Sequence, residues 1–138
     1  MTDEAAFRLH DRLAADTVPV AEGPLSHILL MNDARFPWLI LVPRRAGLVE
    51  IGDLEAPERA LLIEESVVAS ETLKAVTGCP RTNTAALGNM VPQLHVHVIG
   101  RRPDDAAWPG PVWGVGTPEP YDPEALSRLV GTLKATLP

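Results

Sequence analysis

Residues 93–101 read QLHVHVIGR, and this stretch decides the fold. Side chains along a β-strand alternate between two faces. The alternation predicts a strand with Gln93, His95 and His97 on one face and Leu94, Val96 and Val98 on the other. The apolar set has to pack on a core. Two of the chain's four histidines then share the opposite face, with Cα atoms about 6.5–7 Å apart by the strand rise. Upstream, GNMVP at 88–92 is turn-forming, and RTNTAAL at 81–87 reads as the partner strand of a hairpin.

Working outward, residues 57–76 form the clearest helix. Pro57 suits the first helical position, Leu61, Leu62, Val68, Leu73 and Val76 mark an apolar stripe, and Glu64, Glu65, Glu71 and Lys74 supply polar positions. Gly78 stands where a left-handed cap is expected. Further upstream, LSHILLM (25–31) and PWLILV (37–42) read as strands joined by a turn at 32–36, with a break at AEGPL (21–25) and a short helix over 3–14. PWLILV is apolar at nearly every position, which implies cover on both faces or a place at a dimer seam. After Arg102 the chain is dense in Pro and Gly and reads as an irregular arm. Asp122 and Pro123 then start a final helix. The order hairpin, helix, hairpin, helix predicts an α+β fold with an antiparallel sheet, a long helix packed on one face and a C-terminal helix.

Composition narrows the function classes. The 138 residues are 46% hydrophobic and 22% charged, the balance of one ordinary globular domain. The single cysteine, Cys79, excludes an internal disulfide framework and predicts a reducing compartment. The N-terminus lacks a secretory pattern and no apolar run nears the ~20 residues that cross a bilayer, so the expectation is a cytoplasmic protein without a membrane partner. A formal charge of −6 and no Lys/Arg block argue against binding long nucleic acid. A small phosphorylated ligand stays compatible, because a local pocket can oppose the global charge.

Three readings of the histidine pair follow from the residues. Both can be polar groups on the solvated face of an amphipathic strand. Both can hold a metal, although a site needs further ligands, His10 and His27 lie far away in sequence, and the places four and five residues after His97 carry Arg101 and Arg102. Or they can do nucleophilic chemistry, one imidazole attacking phosphorus and the other serving the leaving oxygen. The preceding Gly88-Asn89-Met90 favours the third, because such a turn can aim backbone N–H groups and an amide at an anion.

In these residues the chain resembles the histidine triad (HIT) family of nucleotide hydrolases and transferases, whose motif is His-φ-His-φ-His-φ-φ with φ apolar. GNMVPQLHVHVIGR is similar to that motif and its phosphate loop, AWPGPVW is similar to a Trp-Pro-rich segment found in some members, and the resemblance spans about residues 25–108. The whole chain, 1–138, is then one HIT-like domain, with the arm and helix at 109–138 appended to its core. The resemblance implies a homodimer and a covalent nucleotidyl-histidine intermediate formed without cofactor or metal. It implies His95 as nucleophile toward the α-phosphate and His97 as the group at phosphate and leaving group. It also implies nucleotide contacts from Gly88, Asn89, Met90, Asn83 and, at the first hairpin turn, Asn32.

Gln93 replaces the first histidine of the motif; it can orient but cannot carry a proton. Trp38 stands where many members have a further buried histidine, which suggests a polar relay replaced by packing. The leading function is therefore a nucleotidyl hydrolase or transferase acting on a phosphate ester, anhydride (as in diadenosine polyphosphates) or phosphoramidate. The alternative is a nucleotide-binding regulatory protein with little turnover, and a metal-dependent enzyme comes third.

Overall fold

Leu94, Val96 and Val98 join one hydrophobic cluster while Ile99 joins a second, so the alternation read from the histidine stretch holds from Leu94 to Ile99 and fails at Gln93, whose side chain turns to Arg8 and His10. The structure is a computed structural model describing residues 6–138. Its strands are β1 (Thr17–Glu22), β2 (Ser26–Met31), β3 (Trp38–Pro43), β4 (Arg81–Ala85) and β5 (Val96–Arg101). They form one antiparallel sheet in the order β1-β2-β3-β5-β4. The helices are α1 (Asp11–Asp16), α2 (Ala56–Thr77) and α3 (Pro123–Thr136). Among the described residues no helix is long and apolar enough to cross a membrane.

The two long helices start and stop as the sequence predicts. In α2 a proline sits in the first turn, and Gly78 ends the helix at φ +72° with its N–H donating to the Lys74 carbonyl. Asp122 caps α3 by accepting from the Ala125 N–H. The core-facing row of α2 is smaller than the apolar stripe suggested. Of its buried positions, Leu62, Ser66, Ala69 and Leu73 form a row with spacings of four and three residues, and the small pair in the middle lets the helix lie close on the sheet. Glu65, read as a polar surface position, is buried. Its carboxylate accepts from the Leu25 and Ser26 N–H groups and the Ser26 hydroxyl at 2.7–3.1 Å, fastening α2 to the β1–β2 turn.

Other boundaries move. The helix expected over 3–14 is confined to Asp11–Asp16 among the described residues, and 3–5 lie outside them. β1 escaped the sequence reading because Pro19 interrupts it. The strand tolerates that proline as an edge strand whose register shifts between Pro19 and Ala21. The motif strand begins at Val96, not Gln93, because residues 93–95 make no ladder pairing with β3 or β4. There the Leu94 N–H donates to the Leu48 carbonyl. All six β3 residues are buried within one chain: Leu39 and Leu41 under the helices, Trp38, Ile40 and Val42 on the opposite face. Two-sided cover therefore accounts for PWLILV.

That opposite face is closed by α1 and the Pro/Gly-rich arm, whose Leu13 and Val112 join its cluster. The arm has no regular structure but is pinned by two arginines. Arg101, 1% exposed, donates to both Asp105 oxygens at 2.7 and 3.1 Å, to Asn83 Oδ1 at 2.7 Å and to the Gly110 carbonyl at 2.8 Å. The guanidinium beside it lowers the Asp105 pKa to about 2. Further along, Arg35 grips Asp33 and donates to the Val115 carbonyl at 2.6 Å. Removing one partner of a buried ion pair costs about 3–5 kcal/mol. Arg101→Met should therefore lower the urea midpoint by that equivalent and loosen the arm; an unchanged midpoint would show that the arm is held without it.

Candidate functional site

The histidine face opens into a cleft of about 360 Å³, within the range of roughly 300–1,000 Å³ typical of small-molecule sites. β5 supplies His97, and the residue before the strand is His95. The loop before them supplies Gly88, Asn89 and Met90, while Leu13, Met31 and Ile40 make an apolar wall. Gly88 takes φ +71°, a conformation that an L side chain rarely adopts. Among the described residues none accepts a hydrogen bond from the backbone N–H groups of Gly88, Asn89 or Met90. The Met90 side chain is 74% exposed at the rim. The loop that carries these N–H groups lines the same cleft as the two histidines.

Each histidine has its protons placed by one partner. His95 Nδ1 lies 2.7 Å from the Gln93 carbonyl oxygen. A carbonyl only accepts, so Nδ1 carries the proton and Nε2 of the neutral ring keeps its lone pair. His97 Nδ1 lies 3.0 Å from the indole nitrogen of Trp38. An indole N–H only donates, so here Nδ1 is the acceptor. The two imidazoles meet edge to face with centroids 4.8 Å apart, and Trp113 from the arm stands 5.1 Å from the His97 ring. Each ring belongs to a residue only 6% exposed. Burial lowers the His95 pKa, partly offset by the Gln93 carbonyl, and a further downward push comes from His10. Burial with His95 alongside pushes His97 down to about 3. Both rings are neutral at pH 7, one offering a lone pair and the other an N–H.

The remaining sequence-predicted residues lie elsewhere. Asn32 lines a neighbouring cleft of about 540 Å³ under the arm, where its Oδ1 accepts from the Tyr121 N–H at 2.9 Å. That cleft is the larger one but contains neither His95 nor His97; the two share Arg12, Asp16, Met31, Trp38 and Trp113. Asn83 lines neither cleft and is committed to Arg101. Gln93 points out of the histidine cleft: its Oε1 accepts from the His10 N–H and its Nε2 donates to the Arg8 carbonyl, both at 2.8 Å. It fastens the segment that leads into α1 and so holds the wall carrying Leu13. Trp38 makes a specific hydrogen bond, not only the packing inferred from sequence. Trp113 and Leu13 were missed as cleft walls, although the Trp-Pro-rich run had marked the arm. Among the described residues no three His, Cys, Asp or Glu side chains group as a metal site requires.

The HIT domain family model matches residues 12–104. A histidine triad protein from Bradyrhizobium japonicum is 48% identical at TM-score 0.93, covering 96% of this chain and 98% of that one. One from Sinorhizobium meliloti is 43% identical at TM-score 0.94, covering 98% and 100%. One from Marinobacter aquaeolei is 48% identical at TM-score 0.91, covering 95% and 96%. No curated protein matches.

If Gln93 works as a clamp, Gln93→Ala should raise hydrogen exchange at the His10 amide by about fivefold, since a lost hydrogen bond is worth roughly 1 kcal/mol, while sheet amides keep their protection. Gln93→His should do the same, because an imidazole cannot span both the N–H and the carbonyl. Unchanged protection in both variants would mean that other contacts hold the segment.

Proposed function

The chain belongs to the HIT domain family, and from that premise we propose that it is a nucleotidyl hydrolase or transferase working through a covalent intermediate on His95. The observation that supports this best is the fixed proton of His95. With Nδ1–H held by the Gln93 carbonyl, the Nε2 lone pair is free to attack the α-phosphorus of a bound nucleotide. The N–P bond forms as the bond from phosphorus to the leaving group breaks, and the electron pair leaves with that group. Water then attacks phosphorus, the N–P electrons return to Nε2, and the water proton passes to solvent. Splitting the displacement in two lets one residue serve both halves. The N–H groups of the 88–90 loop stabilise the crowded phosphoryl oxygens, and the apolar wall takes the nucleoside.

The regulatory alternative is favoured by one feature: the Gln93 side chain is occupied in structure, bonded to His10 and Arg8, and supplies no group to the reacting face. Nucleotide binding without turnover across anhydrides, esters and phosphoramidates would select it. For the hydrolase, His95→Asn should lower kcat by at least about 10³-fold, as loss of a catalytic nucleophile does, with nucleotide affinity largely kept; residual turnover near the wild-type rate would refute the assignment. The acid limb of kcat/KM should fall below the ordinary histidine value of about 6.5. The reactive form is neutral, and burial lowers the pKa of His95, so activity persists as pH drops through that value.

The proposed assembly is a homodimer through the open edge of β4. Ser70 of α2 hydrogen-bonds Thr82 of β4. Exposed Val67 and Ile63 lie one and two turns earlier on the same side of the helix. An unpaired strand edge beside such a stripe fits a second copy that continues the sheet across a two-fold axis. Sedimentation at micromolar concentration should give the dimer mass, and Val67→Asp should shift it toward monomer. A wild-type monomer would contradict the assembly.

A further inference from the structure

The bond from Trp38 to His97 constrains what this site can do to a leaving group. Nδ1 of a neutral imidazole accepts only when the ring's proton is on Nε2. The 3.0 Å indole contact therefore selects the Nε2–H form of His97. It also opposes the imidazolium, because protonating Nδ1 would set one N–H against another. No shift of the ring relieves that clash easily: His97 is packed between His95, Trp38 and Trp113 at centroid distances of 4.8, 5.6 and 5.1 Å. Of these neighbours His95 is the titratable one, and Arg12 and Asp16, which ion-pair with each other at 3.7 Å, line the same cleft. Asn, Gln or His at position 38 could accept as well as donate; Trp cannot.

We propose that Trp38 is a positioning residue that locks His97 as a neutral Nε2–H hydrogen-bond donor, so that the site acts on nucleotidyl groups carried by a weakly basic phosphate or polyphosphate oxygen in preference to an amine. The proposal rests on the hydrolase reading above. In the anhydride reaction, His95 Nε2 bonds to the α-phosphorus and the P–O bond breaks. The electron pair stays on the departing phosphate oxygen, which is stable as an anion at neutral pH. His97 Nε2–H stabilises that oxygen without giving up its proton. In a phosphoramidate the departing nitrogen must be protonated as the P–N bond breaks, and a neutral Nε2–H is too weak an acid to do it. Burial that pushes His97 down to about 3 acts in the same direction.

The test has two arms. In the first, long-range ¹H–¹⁵N spectra of histidine-labelled protein, assigned with His97→Asn, should show His97 in the Nε2–H form from pH 8 to 5. In Trp38→Phe, of unchanged circular dichroism, the ring should become a tautomer mixture that protonates at higher pH. An Nδ1–H ring or an imidazolium at pH 7 in the wild type overturns the proposal whether or not the variant folds. In the second, kcat/KM for diadenosine tetraphosphate should exceed that for adenosine 5′-phosphoramidate by about a hundredfold or more, the scale of a missing general acid. Trp38→Phe should narrow that ratio through kcat rather than KM. Equal rates in the wild type, or a ratio that Trp38→Phe leaves unmoved, overturn it. Turnover of neither substrate, with the expected tautomer in place, overturns the hydrolase reading and the leaving-group preference together. It would still support Trp38 as the lock on His97.

Discussion

The constraint on which the rest of the molecule depends is the two-sidedness of β5. Val96 and Val98 must be buried under α2 and α3, and that alone commits His97 to the other face of the sheet. This interior strand of a five-stranded sheet cannot leave its second face bare, because Trp38, Ile40 and Ile99 share that face. The chain covers it with short α1 and the segment leading into it, and with the long arm after β5, of which only α1 has regular structure. Such cover has to be fastened by side chains, since it has no backbone ladder to hold it. Gln93 fastens the first, and Arg101 with Arg35 fastens the second. The cleft is the space left between these covers.

Burial and hydrogen bonding together give the two histidines opposite properties. Stripped of water, both rings favour neutrality. The Gln93 carbonyl and the Trp38 indole then place the remaining proton at opposite ends of the two rings. A lone pair and an N–H face one small volume without a change in ionisation. The departures from the usual motif at positions 93 and 38 thus have separate consequences. One ties down a wall; the other sets a tautomer.

How far the sequence carries the fold depends on how local each signal is. α2 and α3 were legible because a proline, a capping residue or a terminal glycine sits within a turn of the boundary it sets. The face of His95 and His97 was legible because strand parity survives even where the ladder does not, as at His95. What was not legible has a partner far away in the chain. Glu65 looks like a surface residue until Ser26 is brought beside it, and Asn83 looks like a ligand contact until Arg101 claims its oxygen. The role of Gln93 depends on Arg8 and His10, more than eighty residues earlier. β1 failed for a different reason. A proline inside a short strand reads as a break unless the strand is known to lie at a bulged edge.

The central claim is that the free Nε2 of His95 becomes bonded to phosphorus. It is tested most directly by mixing the protein with a nucleotide substrate labelled on the α-phosphate, quenching within one turnover, and mapping the labelled peptide by mass spectrometry. The account predicts a nucleotidyl group on His95. A label on His97, or turnover with no labelled histidine at any quench time, would contradict it.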